Sequence, residues 1–253
     1  MLVPLLRRRT ISTFGFEEPS AGHKERILLL TAHPDDETFF FSPTLTALSH
    51  TPILPMHQTR ELGDLFIVCL STGNAKGLGN LRQEEFGQAL EILGVREERR
   101  FILDHPYLQD NKTGAWDPAV IANEIHPLVR DHGITIILTF DSEGITGHPN
   151  HRSTSAGAAH LVFSTLPLLS ATTRPRLFTL YSRPATKHLG PVAALISQPY
   201  MFFPGPVFVA SVADYVTAFQ AMTKHPSQLR LFSFVKGLFS RYLWVNEWVE
   251  VIV

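Results

Sequence analysis

The sequence predicts a single α/β domain with a mostly parallel, Rossmann-like sheet and helices on both faces. Three observations predict this class. Short apolar runs alternate along the chain with longer helical segments, which is typical of successive β–α units. Runs such as residues 26–31 and 64–70 are apolar nearly throughout, as in parallel strands covered on both faces. The 253 residues suffice for one large domain with a substantial core.

Each element is predicted from a local signal. Strands are apolar or β-branched runs, whereas helices begin at capping residues and end at glycine. Asp117 and Pro118 open one helix as its cap and first-turn proline, and Gly133 ends it. The predicted strands cover residues 26–31, 64–70, 100–103, 134–140, 176–182 and 207–211. The predicted helices cover residues 37–49, with an interruption at Pro43, and residues 81–93, 117–132, 151–165 and 214–222.

The two ends of the chain carry weaker signals. We expect a domain over residues 26–253, after an irregular lead-in over residues 1–25 that contains glycine, proline and mixed charges. Residues 1–9 fit a frayed terminus, the margin of a membrane anchor or a short presequence. No stretch approaches the roughly 20 apolar residues of a membrane-spanning helix.

The aromatic segment 229–253 is expected to be a terminal helix packed on the sheet, with a membrane-facing patch as the alternative.

Charge and cysteine content narrow the classes of function. The chain has 22 basic and 23 acidic residues and a net charge of −1, so we expect no nucleic-acid partner. It has twelve histidines and one cysteine. Cys69 lies within an apolar run, which predicts an inert buried thiol and is compatible with a reducing compartment such as the cytosol.

The strongest functional signal directly follows the first strand. His33, Asp35 and Asp36 fall within four residues, stiffened by Pro34, at the carboxyl end of a strand where α/β sheets place ligands. An imidazole and a carboxylate there can point at one cation, and zinc accepts both donors. A catalytic zinc needs three protein ligands and an open position for water. Taken alone, this tetrapeptide is more typical of an Asx turn that caps a helix.

A second pair of histidines supplies the missing ligand. His148 and His151 follow the fourth predicted strand and lie at the head of a helix. Read together, the two loops predict a metal site formed by His33, Asp36 and His151. Asp35 is then free to take a proton from the water at the open position. His148 would reach the open side of the metal, and its alternative role is an unliganded helix cap.

Other polar residues predict contacts to a ligand. The segment 71–80 has three glycines that let the backbone approach a ligand, and Arg82 follows in the first turn of a helix. An anion such as phosphate could bind there, whereas the alternative is an Arg82–Glu85 surface pair. Asp110 lies in a later loop and could contact a polar ligand, and His225 stands apart from the other background histidines.

Three blocks of this sequence resemble the LmbE-like zinc deacetylases, and within them the N-acetylglucosaminylphosphatidylinositol de-N-acetylases of the PIG-L class. The blocks are residues 32–37 with 39–43, residues 70–79 with Arg82 and Glu85, and residues 139–141 with 147–151. Weaker similarity covers residues 116–117, 225–228 and 240–242. Lys76 departs from the class, which often has an acid at that position.

The resemblance implies an LmbE-like fold and removal of an acetyl group from a glucosamine amide, a step in building glycosylphosphatidylinositol anchors. It implies zinc ligation by His33, Asp36 and His151, a general base at Asp35, an oxyanion or leaving-group role for His148, and substrate binding by Arg82. It also implies a glycolipid partner with a phosphoinositol head, and peripheral membrane contact at the cytosolic face of the endoplasmic reticulum.

The chemistry of the residues favours the same reaction, because an amide needs a strong nucleophile at neutral pH and zinc lowers the pKa of bound water to about 7. Three alternatives stay open. One is a cytoplasmic deacetylase of a soluble N-acetylglucosamine conjugate. Another is a non-catalytic subunit of a membrane complex. The third is a magnesium phosphohydrolase, which imidazole ligands suit less well.

Overall fold

The computed structural model describes residues 9–12, 25–49, 64–110, 113–165, 174–186, 188–192, 203–229 and 237–252. Within these ranges eight strands form one sheet. The strands are β1 (Arg9–Ser12), β2 (Arg26–Thr31), β3 (Asp64–Cys69), β4 (Arg100–Ile102), β5 (Ile136–Phe140), β6 (Arg176–Leu180), β7 (Val207–Val209) and β8 (Val245–Glu250). The main helices are α1 (Asp36–Phe40), α2 (Ser42–Ser49), α3 (Gly79–Ile92), α4 (Pro118–Asp131), α5 (Pro149–His160) and α6 (Val212–Met222).

The sheet is mostly parallel, as predicted. Its strand order is β1-β7-β8-β6-β5-β2-β3-β4. Strands β4, β3, β2, β5 and β6 pair in parallel, whereas β8, β7 and β1 continue the sheet by antiparallel pairing. Strand β2 therefore lies between β3 and β5, at the point where successive crossovers run to opposite sides. Ligands bind at such points in open α/β sheets.

The core is built on the central strands. The four consecutive residues from Ile27 to Leu30 are at most 1 % exposed. Because consecutive strand residues point to opposite faces, both faces of β2 must be covered. Two groups of helices are seen: α4 packs against α5, and α6 contacts α2 and α3. This arrangement confirms the predicted α/β class.

Helix boundaries follow the capping signals in the sequence. The Asp117 side chain accepts a hydrogen bond of 2.8 Å from the amide of Ala119, and Pro118 occupies the first turn of α4. Gly133 ends this helix with a φ of 57°, a backbone conformation that favours glycine. At its far end α5 continues into a π-helical turn at Leu161–Thr165.

Residues 237–252, the described part of the aromatic C-terminal segment, end in a strand and not in the predicted terminal helix. This strand, β8, inserts between β6 and β7. Trp248 is fully buried, stacks on Phe41 with ring centroids 5.9 Å apart and donates a hydrogen bond to the Thr44 hydroxyl. The helix prediction was wrong because valine and tryptophan favour a strand when partner strands are available. Phe232 and Phe234 lie outside the described residues.

The predicted irregular lead-in also contains a strand. Strand β1 pairs with β7, so the expectation of irregular structure over residues 1–25 was wrong at Arg9–Ser12. The pairing partner lies almost 200 residues away, so local composition carries no sign of it. The rest of that segment up to residue 24 lies outside the described residues. Among the helices that the structure describes, none has the length and apolarity to cross a membrane.

The strand assignment of the C-terminal segment predicts where aromatic side chains matter for stability. Replacing Trp248 by Ala should lower the free energy of unfolding by about 3–5 kcal/mol, because the side chain fills the core against Phe41. Phe239, which is 56 % exposed, is the matched control, and its replacement by Ala should cost less than about 0.5 kcal/mol. Urea unfolding measures both, and equal losses would contradict the assignment.

Candidate active site

The two predicted histidine loops meet at one edge of the sheet. His33 follows β2, and His148 and His151 follow the neighbouring strand β5. The centroids of the three rings lie 4.8, 5.1 and 5.4 Å apart. Each ring offers a nitrogen within 4.8 Å of the others. These side chains open into a cavity of about 650 Å³.

Asp36 is fixed against two of these histidines. Its Oδ2 atom accepts hydrogen bonds of 3.0 and 2.9 Å from the amides of Ala32 and His33. Its Oδ1 atom lies 3.1 Å from Nε2 of His151. Burial acts to raise the pKa of Asp36, but His151 and His33 outweigh it and hold the pKa well below its usual range. The carboxylate is therefore ionised and aimed at the histidine cluster.

His151 presents its Nε2 atom to that carboxylate. Its Nδ1 atom lies 3.1 Å from the carbonyl oxygen of Gly144, which can only accept, so Nδ1 carries the hydrogen. Nε2 and the Asp36 oxygen are then two acceptors in contact, and they require a shared proton or metal ion. Burial acts to lower the pKa of His151, but Asp36 outweighs it and the pKa is raised. A backbone carbonyl behind the ring is a common orienting partner of metal-binding histidines.

Gly144 must be glycine for this contact. Its φ of 64° lies in the left-handed region, and a Cβ atom there would lie 2.8 Å from the His151 Cβ. The next residue, Ile145, has a φ of 60°, which is unusual for a β-branched side chain. Its amide donates to the Ser182 hydroxyl, which in turn donates to Asp141. The loop that positions His151 is thus held in a strained conformation by hydrogen bonds to Ser182, which follows β6.

His33 has an unsatisfied nitrogen at the same place. Within the described part of the chain its buried Nε2 atom makes no hydrogen bond, although Asp110 Oδ1 lies 3.4 Å away. The His33 imidazole lowers the pKa of Asp110. A buried nitrogen that makes no hydrogen bond, beside the facing atoms of His151 and Asp36, fits a divalent cation, and imidazole with carboxylate is a zinc-type donor set. The ligand atoms of His33, His148 and His151 lie within 4.8 Å of one another, and Asp36 contacts His151 beside them at 3.1 Å.

His148 differs from the other two histidines in its tautomer. Its Nδ1 atom accepts a hydrogen bond of 3.2 Å from the amide of Asn150 and so caps helix α5. In the neutral ring the hydrogen then lies on Nε2. Burial, together with His33 and His151, lowers the pKa of His148 to about 4, so the ring is neutral at pH 7. The neutral His148 ring therefore offers an N–H donor at Nε2. Such a donor suits a developing negative charge better than a metal ion.

Asp35 faces the cavity from a strained backbone. Its φ of 131° and ψ of −25° lie outside the regions open to most residues, at a cost of about 1–3 kcal/mol. Burial raises the pKa of Asp35 to about 6, with Arg82 acting in the opposite direction and Asp36 in the same direction. Such a pKa suits a general base near neutral pH.

Arg82 is a buried scaffold residue. Its guanidinium donates to the carbonyl oxygens of Gly73 (2.9 Å) and Pro34 (2.7 Å). It also lies 3.4 Å from Asp35 and 3.5 Å from Asp110. The alternative of an Arg82–Glu85 surface pair was wrong, because both side chains are buried. The spacing in the helix suggested the pair, but the packing of the site around them decides their partners.

Sequence reasoning missed two supporting groups. One is the hydrogen-bonded Asp141–Ser182 pair that holds the loop before His148. Nothing in the local sequence marks Ser182, and only the parallel pairing of β5 and β6 brings it near. The other is a contact between Glu37 and His225. The residue type and the following Pro-Ser-Gln singled out His225, but its partner could not be inferred.

Comparison with known proteins places the chain in a family. The family model described as PIG-L, GlcNAc-PI de-N-acetylase, matches residues 28–162, which is more than half of the chain. The chain belongs to this family. The matched region of the PIG-L family includes all six predicted site residues.

Individual members of the family are similar over different lengths. A probable N-acetylglucosaminyl-phosphatidylinositol de-N-acetylase of Schizosaccharomyces pombe is 37 % identical over 152 residues, 58 % of each chain. The Bos taurus N-acetylglucosaminyl-phosphatidylinositol de-N-acetylase is 31 % identical over 234 residues, 89 % of this chain and 83 % of the relative. Among solved structures, the N,N'-diacetylchitobiose deacetylase of Pyrococcus horikoshii shares the fold, with a TM-score of 0.61 at 16 % identity, covering 90 % of this chain and 84 % of that one.

The geometry predicts which histidine a metal ion does not need. After dialysis against zinc, the His148→Ala variant should retain about one zinc ion per chain. The reason is that Nδ1 of His148 caps α5 and its Nε2 carries the hydrogen, so neither nitrogen is free to bind zinc. Asp36→Ala and His151→Ala should lose the metal, because each removes one of the two facing acceptors. Elemental analysis measures the ratio. Loss of zinc in His148→Ala with retention in Asp36→Ala would instead support the three-histidine set.

Proposed function

We propose that this protein is a zinc-dependent deacetylase that converts N-acetylglucosaminyl-phosphatidylinositol to glucosaminyl-phosphatidylinositol and acetate in glycosylphosphatidylinositol anchor biosynthesis. The observation that carries the proposal is the contact of Asp36 with His151, beside His33. The same cavity is lined by Asp35, the candidate base, and by His148, the neutral donor. Membership of the PIG-L family and the names of the relatives support the choice of substrate.

In this proposal His33, Asp36 and His151 would hold the zinc ion, because they combine facing acceptors with an unsatisfied nitrogen. Bound zinc would supply an activated water and polarise the acetyl carbonyl. The protein contributes the orientation of its donors. Gly144 fixes the His151 ring through its carbonyl oxygen, and the amides of Ala32 and His33 fix the Asp36 carboxylate.

Asp35 would accept the proton of the water, and His148 would donate a hydrogen bond to the carbonyl oxygen. Asp35 takes the proton of the attacking water at its carboxylate, and its pKa of about 6 keeps it ionised at neutral pH. His148 donates from Nε2 to the carbonyl oxygen as negative charge develops there, a contribution of about 2.7–4 kcal/mol in comparable sites. The proton held by Asp35 is then available to the leaving amine. Acetate and the free amino sugar result.

The lining of the cavity suits a polar head attached to an apolar tail. The cations Arg82 and Lys76 are among the described residues that line it, and in this proposal they face the phosphoinositol head. The aromatic rings of Phe39 and Phe40 line the same cavity. Arg82 would also hold Asp35 in place through its contact of 3.4 Å.

The substrate also implies a location. Because the glycolipid is a membrane component, we extend the proposal to peripheral contact with the cytosolic face of the endoplasmic reticulum. A soluble substrate would instead place the protein in the cytoplasm. Separating membranes from the soluble fraction of cells, with the glycolipid-converting activity followed in each, distinguishes the two locations.

The proposed roles predict different kinetic losses. Asp35→Asn should lower kcat by at least about 1,000-fold while zinc stays bound, because the water loses its proton acceptor. His148→Ala should lower kcat by about 100–1,000-fold with little change in KM, because the donor acts mainly in the transition state. Asp131→Asn, an exposed acid far from the cavity, is the control. An active Asp35→Asn enzyme would refute the role of Asp35.

A competition between two substrates tests the lipid assignment. Purified zinc-loaded protein should deacetylate the acetylated glycolipid with a kcat/KM at least about tenfold above that for the lipid-free N-acetylglucosaminyl-inositol, because remote binding contributes to catalysis. Release of acetate measures both rates. The alternative of a soluble substrate is favoured if the lipid-free compound reacts as fast or faster.

A further inference from the structure

A buried pair lies behind the candidate base and takes no part in the chemistry described above. Glu37 and His225 are both 0 % exposed, and Nε2 of His225 lies 2.7 Å from Oε1 of Glu37. The two residues are 188 positions apart in the chain. Neither side chain lines the cavity. A carboxylate is buried only where partners compensate for its lost hydration, so this contact needs an explanation.

The second oxygen of Glu37 reaches the backbone of the base. Oε2 accepts a hydrogen bond of 3.0 Å from the Asp35 amide. On its other side the Asp35 carbonyl oxygen accepts from the Thr38 hydroxyl (2.8 Å) and the Phe39 amide (3.0 Å). The residue with a φ of 131° is therefore held at both of its peptide groups. Relaxation of φ would turn the amide away from Glu37 and swing the Asp35 side chain with it.

His225 is itself anchored firmly. It follows helix α6, and its amide donates to the carbonyl oxygen of Met222. Two residues later the amide and hydroxyl of Ser227 both donate to Glu85 in helix α3. The turn over residues 225–228 is thus tied to α1 through Glu37 and to α3 through Glu85. The histidine gives Glu37 a partner that cannot easily move away.

We propose that Glu37 and His225 form a positioning pair, which holds Asp35 in its strained conformation and aims its carboxylate at the attacking water. The inference rests on the proposed role of Asp35 as general base. Neither member of the pair touches the reacting atoms. The hydrogen bonds run from His225 to Glu37 and from the Asp35 amide to Glu37, so the carboxylate joins a distant turn to the site.

Two other roles are possible for such a pair, and each gives a different result. A purely structural pair would stabilise the fold without a specific effect on kcat. A pair that supports the neighbouring residue Asp36 would affect zinc binding and turnover together. A pair that positions Asp35 affects kcat while zinc stays bound, and its effect disappears when Asp35 is removed.

The test uses purified zinc-loaded full-length chain and the acetylated glycolipid. Glu37→Leu and His225→Leu should lower kcat by about 100-fold with KM within about threefold and zinc retained, because small misplacements of a catalytic group cost this much. Glu37→Gln keeps an acceptor for the Asp35 amide, and His225→Gln keeps a donor near Nε2. These two variants should recover kcat to within about fivefold of wild type.

Variants made in an Asp35→Ala chain test whether the pair acts through Asp35. In the Asp35→Ala chain, adding Glu37→Leu should lower the residual rate by less than about twofold, because the pair acts through Asp35. Asp214→Ala is the matched control, since it removes the carboxylate of the buried capping box at the N-terminal end of α6, away from His225. It should lower the melting temperature and leave kcat unchanged. The proposal is overturned if the leucine variants lose no more kcat than this control, lose zinc in parallel, or slow the Asp35→Ala chain equally.

A measurement without turnover separates this inference from the proposed function. By NMR, hydrogen exchange of the Asp35 amide should be slow in the wild type and in Glu37→Gln, and at least about tenfold faster in Glu37→Leu and His225→Leu. A wild-type chain that leaves the glycolipid unchanged would refute the proposed function. Unchanged exchange in the leucine variants would refute the positioning pair.

Discussion

The site depends on the contact between His151 and Asp36. Nε2 of His151 lies 3.1 Å from an oxygen of Asp36, and the contact is favourable only with a proton or a metal ion between the two atoms. Both atoms are held from behind, one by the Gly144 carbonyl and the other by backbone amides. Because each partner is fixed before a cation arrives, the protein has already met the entropic cost of assembling the pair.

The rest of the structure maintains this arrangement through strain placed at a few residues. Asp35 and Ile145, the non-glycine residues with positive φ in the described chain, each lie next to the cluster. The amide of each donates a hydrogen bond: Asp35 to Glu37, which in turn contacts the distant His225, and Ile145 to Ser182. Strained residues persist only where their surroundings overdetermine them. Helix α1 and the residues that follow β6 therefore supply the contacts that keep these two residues in place.

Much of this could be predicted from the sequence, for identifiable reasons. The parallel strands and the two histidine loops carry local signals, since apolar runs mark covered strands and an Asp-His cluster after a strand marks a ligand site. Strand β8 and strand β1 escaped prediction because neither contains a continuous apolar run, so only their pairing with distant strands defines them. The alternative of an Arg82–Glu85 surface pair failed because helical spacing predicts contacts on an exposed surface, whereas both residues are buried.

The most direct test of this account is a crystal structure of the zinc-loaded protein, with the metal located by anomalous scattering. The account predicts one peak within about 2.0–2.2 Å of a donor atom from each of His33, Asp36 and His151, with His148 still capping α5 through Nδ1. A metal ion bound by His148 in place of Asp36, or one bound away from this cluster, would contradict it.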